Sequence, residues 1–137
     1  MSTVSNKILG NQFEIEFCEE LSRRGWWVCR MAPNAAGQQP MDILAIRDGN
    51  PKMIDCKVCT GKRFLLSRIE ANQRTSAWKW ESCGNGEAWI AIKVIETDEV
   101  WMIEMSEIER LIHSNFKSIP LKDIADYGYS FDTWWED

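Results

Sequence analysis

At 137 residues the chain has room for one domain, and 45% hydrophobic composition with eight Trp supplies a full core for it. No stretch approaches the roughly 18 apolar residues of a membrane span, and the opening Met-Ser-Thr-Val-Ser-Asn-Lys lacks the charged-then-apolar layout of a secretion signal, so a cytoplasmic protein with no membrane partner is expected. A net charge of -5 argues against a polyanionic partner until the chain is divided: residues 1–80 carry 12 Lys+Arg against 8 Asp+Glu, and residues 81–137 carry 4 against 13, that is +4 and -9. That asymmetry predicts one phosphate-facing side and one acidic side.

In chain order, Ile8 to Arg24 reads as a helix with Phe13, Phe17 and Leu21 at four-residue spacing, Ser5 or Asn6 as its cap and Gly25 past its end. Trp26 to Met31 reads as a strand and Pro33 to Pro40 as a loop of turn formers. Strands over Asp42 to Arg47 and Lys52 to Val58 are joined through Asp48-Gly49-Asn50, a strong hairpin signal. Ser67-Arg68-Ile69-Glu70 has the form of a capping box and predicts a helix to about Trp80. Strands over Ala88 to Val94 and Val100 to Met105 follow, then a helix from Ser106, as cap, to His113. The order α-β-β-β-α-β-β-α predicts an α/β fold, a mixed central sheet flanked by helices, in a single domain over 1–137 with 115–137 as a peripheral acidic segment.

On a wheel of about 100° per residue, Glu14 lies about 100° from Phe13, beside Leu21, whereas Glu16 and Glu19 lie at about 300° and 240°. Glu14 therefore turns toward the sheet, and a lone buried carboxylate needs a pairing cation or a metal. In the third strand, alternation places Met53, Asp55 and Lys57 on one face and Ile54, Cys56 and Val58 on the other. The tight hairpin brings Asp42 across the ladder to Asp55. Two neighbouring carboxylates repel unless a cation intervenes, and oxygen ligands of this kind suit Mg²⁺.

Pro40-Met41-Asp42, followed after the hairpin by Asp55-Cys56-Lys57, resembles the P-D…(D/E)-x-K signature of the restriction-endonuclease-like nucleases, with an extra Met before the Asp. Gly10-x-x-Phe13-Glu14 is similar to the opening of the archaeal-type Holliday junction resolvases. Phe64-Leu65-Leu66-Ser67 through Asn72-Gln73 is similar to a stretch of the RecU resolvases, with Leu65 where that pattern has Pro and Asn72 where it has His. The resemblance implies a restriction-endonuclease-like core and a metal-dependent endodeoxyribonuclease acting as a homodimer on branched DNA, a four-way junction above all. It also implies that Asp42, Asp55 and the backbone carbonyl of Cys56, with Glu14 as a further candidate, hold one or two Mg²⁺, Mn²⁺ being an alternative ion. Lys57 then orients or deprotonates the attacking water and stabilises charge on the phosphate, the electrostatic role being favoured for a Lys beside two carboxylates, and Gln73 corresponds to the family's accessory glutamine.

Lys62, Arg63, Arg68, Arg74 and Lys79, around the second helix and its lead-in, are the candidates for phosphate contact, with Asn34 and Gln38 in the loop opposite. Five Cys, Cys18, Cys29, Cys56, Cys59 and Cys83, are odd in number and lie in apolar or strand-like runs, which predicts reduced core thiols. Cys56 and Cys59, three apart on a strand, face opposite sides and form no zinc half-site. His113, the single His, lies on a late amphipathic helix, and no nucleophile-elbow motif supports a Ser-His-Asp hydrolase. Trp78, Trp80, Trp134 and Trp135 read as core or dimer contacts rather than base-stacking platforms. Restriction, nicking or flap processing by the same chemistry, and a catalytically silent DNA-binding module of the same fold, are the alternatives.

Overall fold

The computed structural model describes residues 6–31 and 41–135. Helix α1 (Asn6–Arg23) leads into β1 (Trp27–Arg30), and the hairpin β2 (Ile43–Arg47) and β3 (Asn50–Cys59) follows. Next come β4 (Arg63–Leu65), a 3₁₀ turn (Leu66–Arg68), α2 (Ala71–Ser82), β5 (Ala88–Val94), β6 (Glu99–Glu104) and α3 (Met105–His113). A C-terminal stretch of β7 (Ser118–Pro120), a second 3₁₀ turn (Leu121–Asp126) and β8 (Tyr129–Ser130) completes the chain. The predicted α/β order holds, with β4, β7 and β8 added.

Six strands form one mixed sheet in the order β1-β2-β3-β5-β6-β8, in which β3 and β5 run parallel and all other neighbours antiparallel. The parallel pair requires the crossover that α2 supplies. Both central strands are buried on both faces, so their alternation sorts residues between two cores. Met53, Ile90 and Ile92 pack with Phe64, Ile108 and Leu111 under α2 and α3, while Ile54, Trp89 and Ala91 pack with Phe13, Phe17 and Leu21 of α1.

Local chemistry sets the joints. Gly25 (φ 91°) ends α1 in the left-handed region, and Trp26 N–H reaches back to the Leu21 carbonyl at 3.1 Å. The β2–β3 turn is the two-residue Asp48-Gly49, both at positive φ (52° and 76°), as a tight twisted hairpin demands. It fixes the register Ile43↔Ile54 and so the faces on which the site residues stand.

Several expectations are corrected. The second helix begins at Ala71 with Glu70 as its N-cap, not at Ser67, because Leu66 to Arg68 wind as a 3₁₀ turn that buries Leu66 and Ile69 before the helix starts. The third helix is capped at Glu104, not Ser106, whose hydroxyl instead donates to the Glu104 carboxylate (3.3 Å). Residues 115–137, expected at the periphery, send Ile119 and Ile124 into one core and Phe131 and Trp134 into the other. There Trp134 stacks on Trp26 (5.4 Å) and meets Trp89 edge-on (5.5 Å). Trp78 is not a core residue: it is 67% exposed. All five cysteines are free, but Cys83 is exposed rather than core. Asn6, offered as a cap, is instead the first residue of α1, while Ser5 lies outside what is described, as does the loop 32–40.

Candidate active site

The site lies where the sheet loses a neighbour. β2 pairs with β3 only as far as Ile43↔Ile54, while β3 continues beside β5 to Cys59↔Val94, so β3 has one open edge past Asp55. A strand edge leaves backbone groups without ladder partners. Asp42, one residue before β2, meets that demand: its Oδ2 accepts the Cys56 N–H at 2.7 Å. Its own backbone is held from both sides, the carbonyl by Met31 N–H (2.8 Å) and the N–H by the Ile54 carbonyl (3.3 Å).

Asp55 stands beside it on β3, only 3% exposed. Its Oδ1 accepts the Gln73 Nε2–H at 3.0 Å; its Oδ2 has no hydrogen bond and faces Lys57 Nζ at 3.4 Å. Lys57 follows two residues along the same face, its side chain 13% exposed. Burial first, and then the neighbouring Asp42 carboxylate, push the Asp55 carboxyl well above the ordinary aspartate range, against an opposing pull from Lys57.

Gln73 is fixed by its place in α2. Its Oε1 accepts the backbone N–H of Glu70 at 3.0 Å, closing the first turn, which leaves the amide N–H of the same side chain aimed at Asp55.

Glu14 comes from the opposite sheet face. On α1, Phe13, Phe17 and Leu21 are buried, Glu14 is half-buried and Glu16 and Glu19 are exposed, which matches the predicted wheel. Burial and then Asp42 raise the Glu14 carboxyl, with Arg30 and Lys57 opposing. Its Oε1 accepts Arg30 Nε–H at 3.0 Å, and Arg30 also donates to Asn11. Arg30 is the residue that sequence reasoning missed. The available signal was alternation in β1: with Val28 packed toward α1, Arg30 two residues on shares its face.

Asp55, Lys57 and Gln73 thus stand on the α2 side of the sheet, Glu14 and Arg30 on the α1 side, and Asp42 at the strand end between them. Among the described residues no three His, Cys, Asp or Glu side chains converge as a complete metal cage.

A family model for the archaeal Holliday junction resolvase (Hjc) matches residues 5–130 of the chain. The chain belongs to that family. Its fold is also that of a solved resolvase: the structure of Archaeoglobus fulgidus Hjc, a Holliday junction resolvase from an archaeal hyperthermophile, superposes with a TM-score of 0.67 over 88% of this chain and 93% of that one, at 18% sequence identity. No curated protein sequence matches the chain. Membership makes the chain a Holliday junction resolving endonuclease of the PD-(D/E)XK type.

Within this resolvase the basic candidates separate. Lys62 and Lys79 are exposed, and Arg63 is exposed with Nη1 on the Ser118 hydroxyl at 3.0 Å. Arg74 forms a two-point pair with Glu109 of α3 (2.6 and 2.7 Å), turned from Asp55. Arg68 lies at the open edge of β3, donating to the Val58 carbonyl. Asn34 and Gln38 lie outside the described residues. His113 is a surface residue, 3.6 Å from Glu109. No helix among the described residues is long and apolar enough to cross a membrane.

Proposed function

We propose that the resolvase is Mg²⁺-dependent, that Asp42, Asp55 and Lys57 form its catalytic centre, and that it works as a two-fold dimer on four-way DNA junctions. The observation that carries this reading is Asp55 Oδ2, a buried carboxylate oxygen with no hydrogen-bond donor, set beside a second buried carboxylate. The Lys57 ammonium at 3.4 Å offsets part of the cost of two such carboxylates, and a second cation would complete the site. Mg²⁺ is commonly held by one or two carboxylates together with substrate phosphate rather than by an all-protein cage, so the residues fit it. Asp42, Asp55 and the Cys56 carbonyl on the open strand edge are the ligands, Glu14 is a further candidate, and Mn²⁺ is an alternative ion.

The divalent ion, when bound, activates a water and neutralises charge on the phosphodiester. The remaining work falls to the chain. Lys57, held against Asp55, places a fixed cation where negative charge builds on the phosphate oxygens. Gln73 locks the Asp55 rotamer through Oδ1 and leaves Oδ2 for the site. Arg30 orients Glu14. Water attack and strand departure yield two DNA ends per cut, and a junction offers two scissile phosphates related by an approximate two-fold axis. One domain carries one site, so two copies sharing that axis can cut both strands.

A cleavage panel of four-way junction, flap, linear duplex and single strand in Mg²⁺, with strand-labelled products and sedimentation alongside, tests the proposal. Paired nicks on opposing junction strands by a dimer are expected, with Asp42→Ala binding the junction but not cutting it. Full activity in Asp42→Ala would remove the proposed centre. A monomer at micromolar concentration without preference for the junction would remove the dimer.

A further inference from the structure

We infer that Arg68 is a phosphate-positioning residue that grips the phosphate next to the scissile one. The inference rests on the catalytic centre proposed above. Beyond Asp55, the open edge of β3 exposes backbone groups of Cys56 and Val58, which lie two residues apart on the same edge. Side chains take both. Asp42 accepts the Cys56 N–H at 2.7 Å, and Arg68 Nη1 donates to the Val58 carbonyl at 2.5 Å. At about 3.3 Å of rise per residue, the guanidinium is anchored roughly 7 Å along the edge from the Asp42 carboxylate. That spacing is on the scale of one step along a nucleic-acid backbone.

Three features make Arg68 more than a staple for the strand end. An Arg carries its N–H donors in a planar fork, and among the described residues only Val58 receives a hydrogen bond from this one. The Phe64 ring flanks it, 5.4 Å from the guanidinium carbon, so the plane is pre-set. Among the described residues no carboxylate pairs with it, unlike Arg74 with Glu109 or Arg110 with Glu107. A half-buried, oriented guanidinium anchored two residues along the strand edge from the Asp42 contact matches an anion bridging the site, and phosphate is the anion this substrate brings.

The experiment uses the full chain and a four-way junction. Binding is measured in EDTA across a salt series for wild type, Arg68→Gln, Arg68→Lys and Arg110→Gln. Single-turnover cleavage is measured in Mg²⁺. Arg68→Gln should lower the slope of log affinity against log salt by about 1, and Arg110→Gln should leave it unchanged. Arg68→Lys should keep the slope but cut about tenfold more slowly, since a point charge does not reproduce the fork. A neutral methylphosphonate is then placed at each phosphate flanking the scissile one. At one of them wild type should lose binding in EDTA, while Arg68→Gln loses no more, the non-additivity expected of direct partners.

An unchanged salt slope in Arg68→Gln, or full additivity at both flanking positions, overturns the inference. Should Arg68→Gln fail to fold, wild-type binding indifferent to both neutral phosphates overturns it equally. Since the binding arms contain no divalent ion, they decide Arg68 whether or not Asp42→Ala shows the centre to be correct.

Discussion

Replacing Asp55 with Asn is expected to stabilise the metal-free protein while abolishing cleavage. In the native site Asp55 Oδ1 has the Gln73 amide, but Oδ2 is buried without a donor and faces a second carboxylate. Asn keeps the Gln73 bond at its oxygen and presents an N–H to Asp42 where the orphan oxygen stood. A buried polar atom left unpaired costs about 1–3 kcal/mol. Loss of the Lys57 attraction offsets part of this, leaving a net gain of about 1–2 kcal/mol, or roughly 3–10 °C in Tm for a domain of this size. The pH dependence has a definite sign. A carboxyl raised by folding keeps its proton longer in the native state, so its contribution to stability is intact below the ordinary value of 3.8 and is lost as pH rises above it. The gap between Asp55→Asn and wild type should therefore vanish in acid and widen toward neutral pH. Mg²⁺ at ten times its Kd should raise wild type by about 1.4 kcal/mol and the variant by much less. Calorimetric melting in EDTA and in Mg²⁺ across pH decides it. A variant less stable than wild type in EDTA at neutral pH, or a gap that narrows as pH rises, refutes the reasoning.

Lys57→Ala should slow single-turnover junction cleavage by about 10² or more, the scale of one lost electrostatic donor; a change of a few-fold would make Lys57 structural. Glu14→Gln should impair cleavage far more than Glu16→Gln, because only Glu14 reaches toward Asp42; equal effects in the same assay would detach α1 from the site. Trp134→Ala should cost about 3–5 kcal/mol in urea unfolding, since the ring packs on Trp26, Trp89 and Phe131, whereas exposed Trp78→Ala should stay within about 0.5 kcal/mol.

What the sequence revealed was whatever local geometry decides. The Asp48-Gly49 turn, the alternation through Asp55 and Lys57 and the helical phase of Glu14 each depend on a few neighbouring residues, and each stands as expected. Pairing between distant segments was hidden. β4 meets β7 through Arg63↔Pro120 and Leu65↔Ser118, and no local signal in either tripeptide names its partner. The true start of α2 was hidden for a related reason: Ser67-x-x-Glu70 is a sound capping pattern, but burial of Leu66 and Ile69 beside that long-range strand pair winds the segment as a 3₁₀ turn and moves the cap to Glu70. The sequence places Lys52 only at the start of a strand. It is buried, with Nζ 3.4 Å from Glu87, just before β5, and 3.8 Å from the centre of the Trp135 ring, a contact that requires the folded C-terminal segment.

The displaced cap has a consequence for the chemistry. Had α2 begun at Ser67, Gln73 would sit in the second turn, its side chain free to rotate. With Glu70 as the cap, Gln73 is the third helical residue, the position whose side chain closes a capping box. One amide then serves two ends: its oxygen satisfies the Glu70 N–H and its nitrogen holds Asp55. The folding of a helix start and the orientation of a buried carboxylate are therefore one interaction network. The β4–β7 strand pair that shifts the cap lies upstream of both, so the acidic C-terminal half reaches the basic N-terminal half through strand pairing as well as packing.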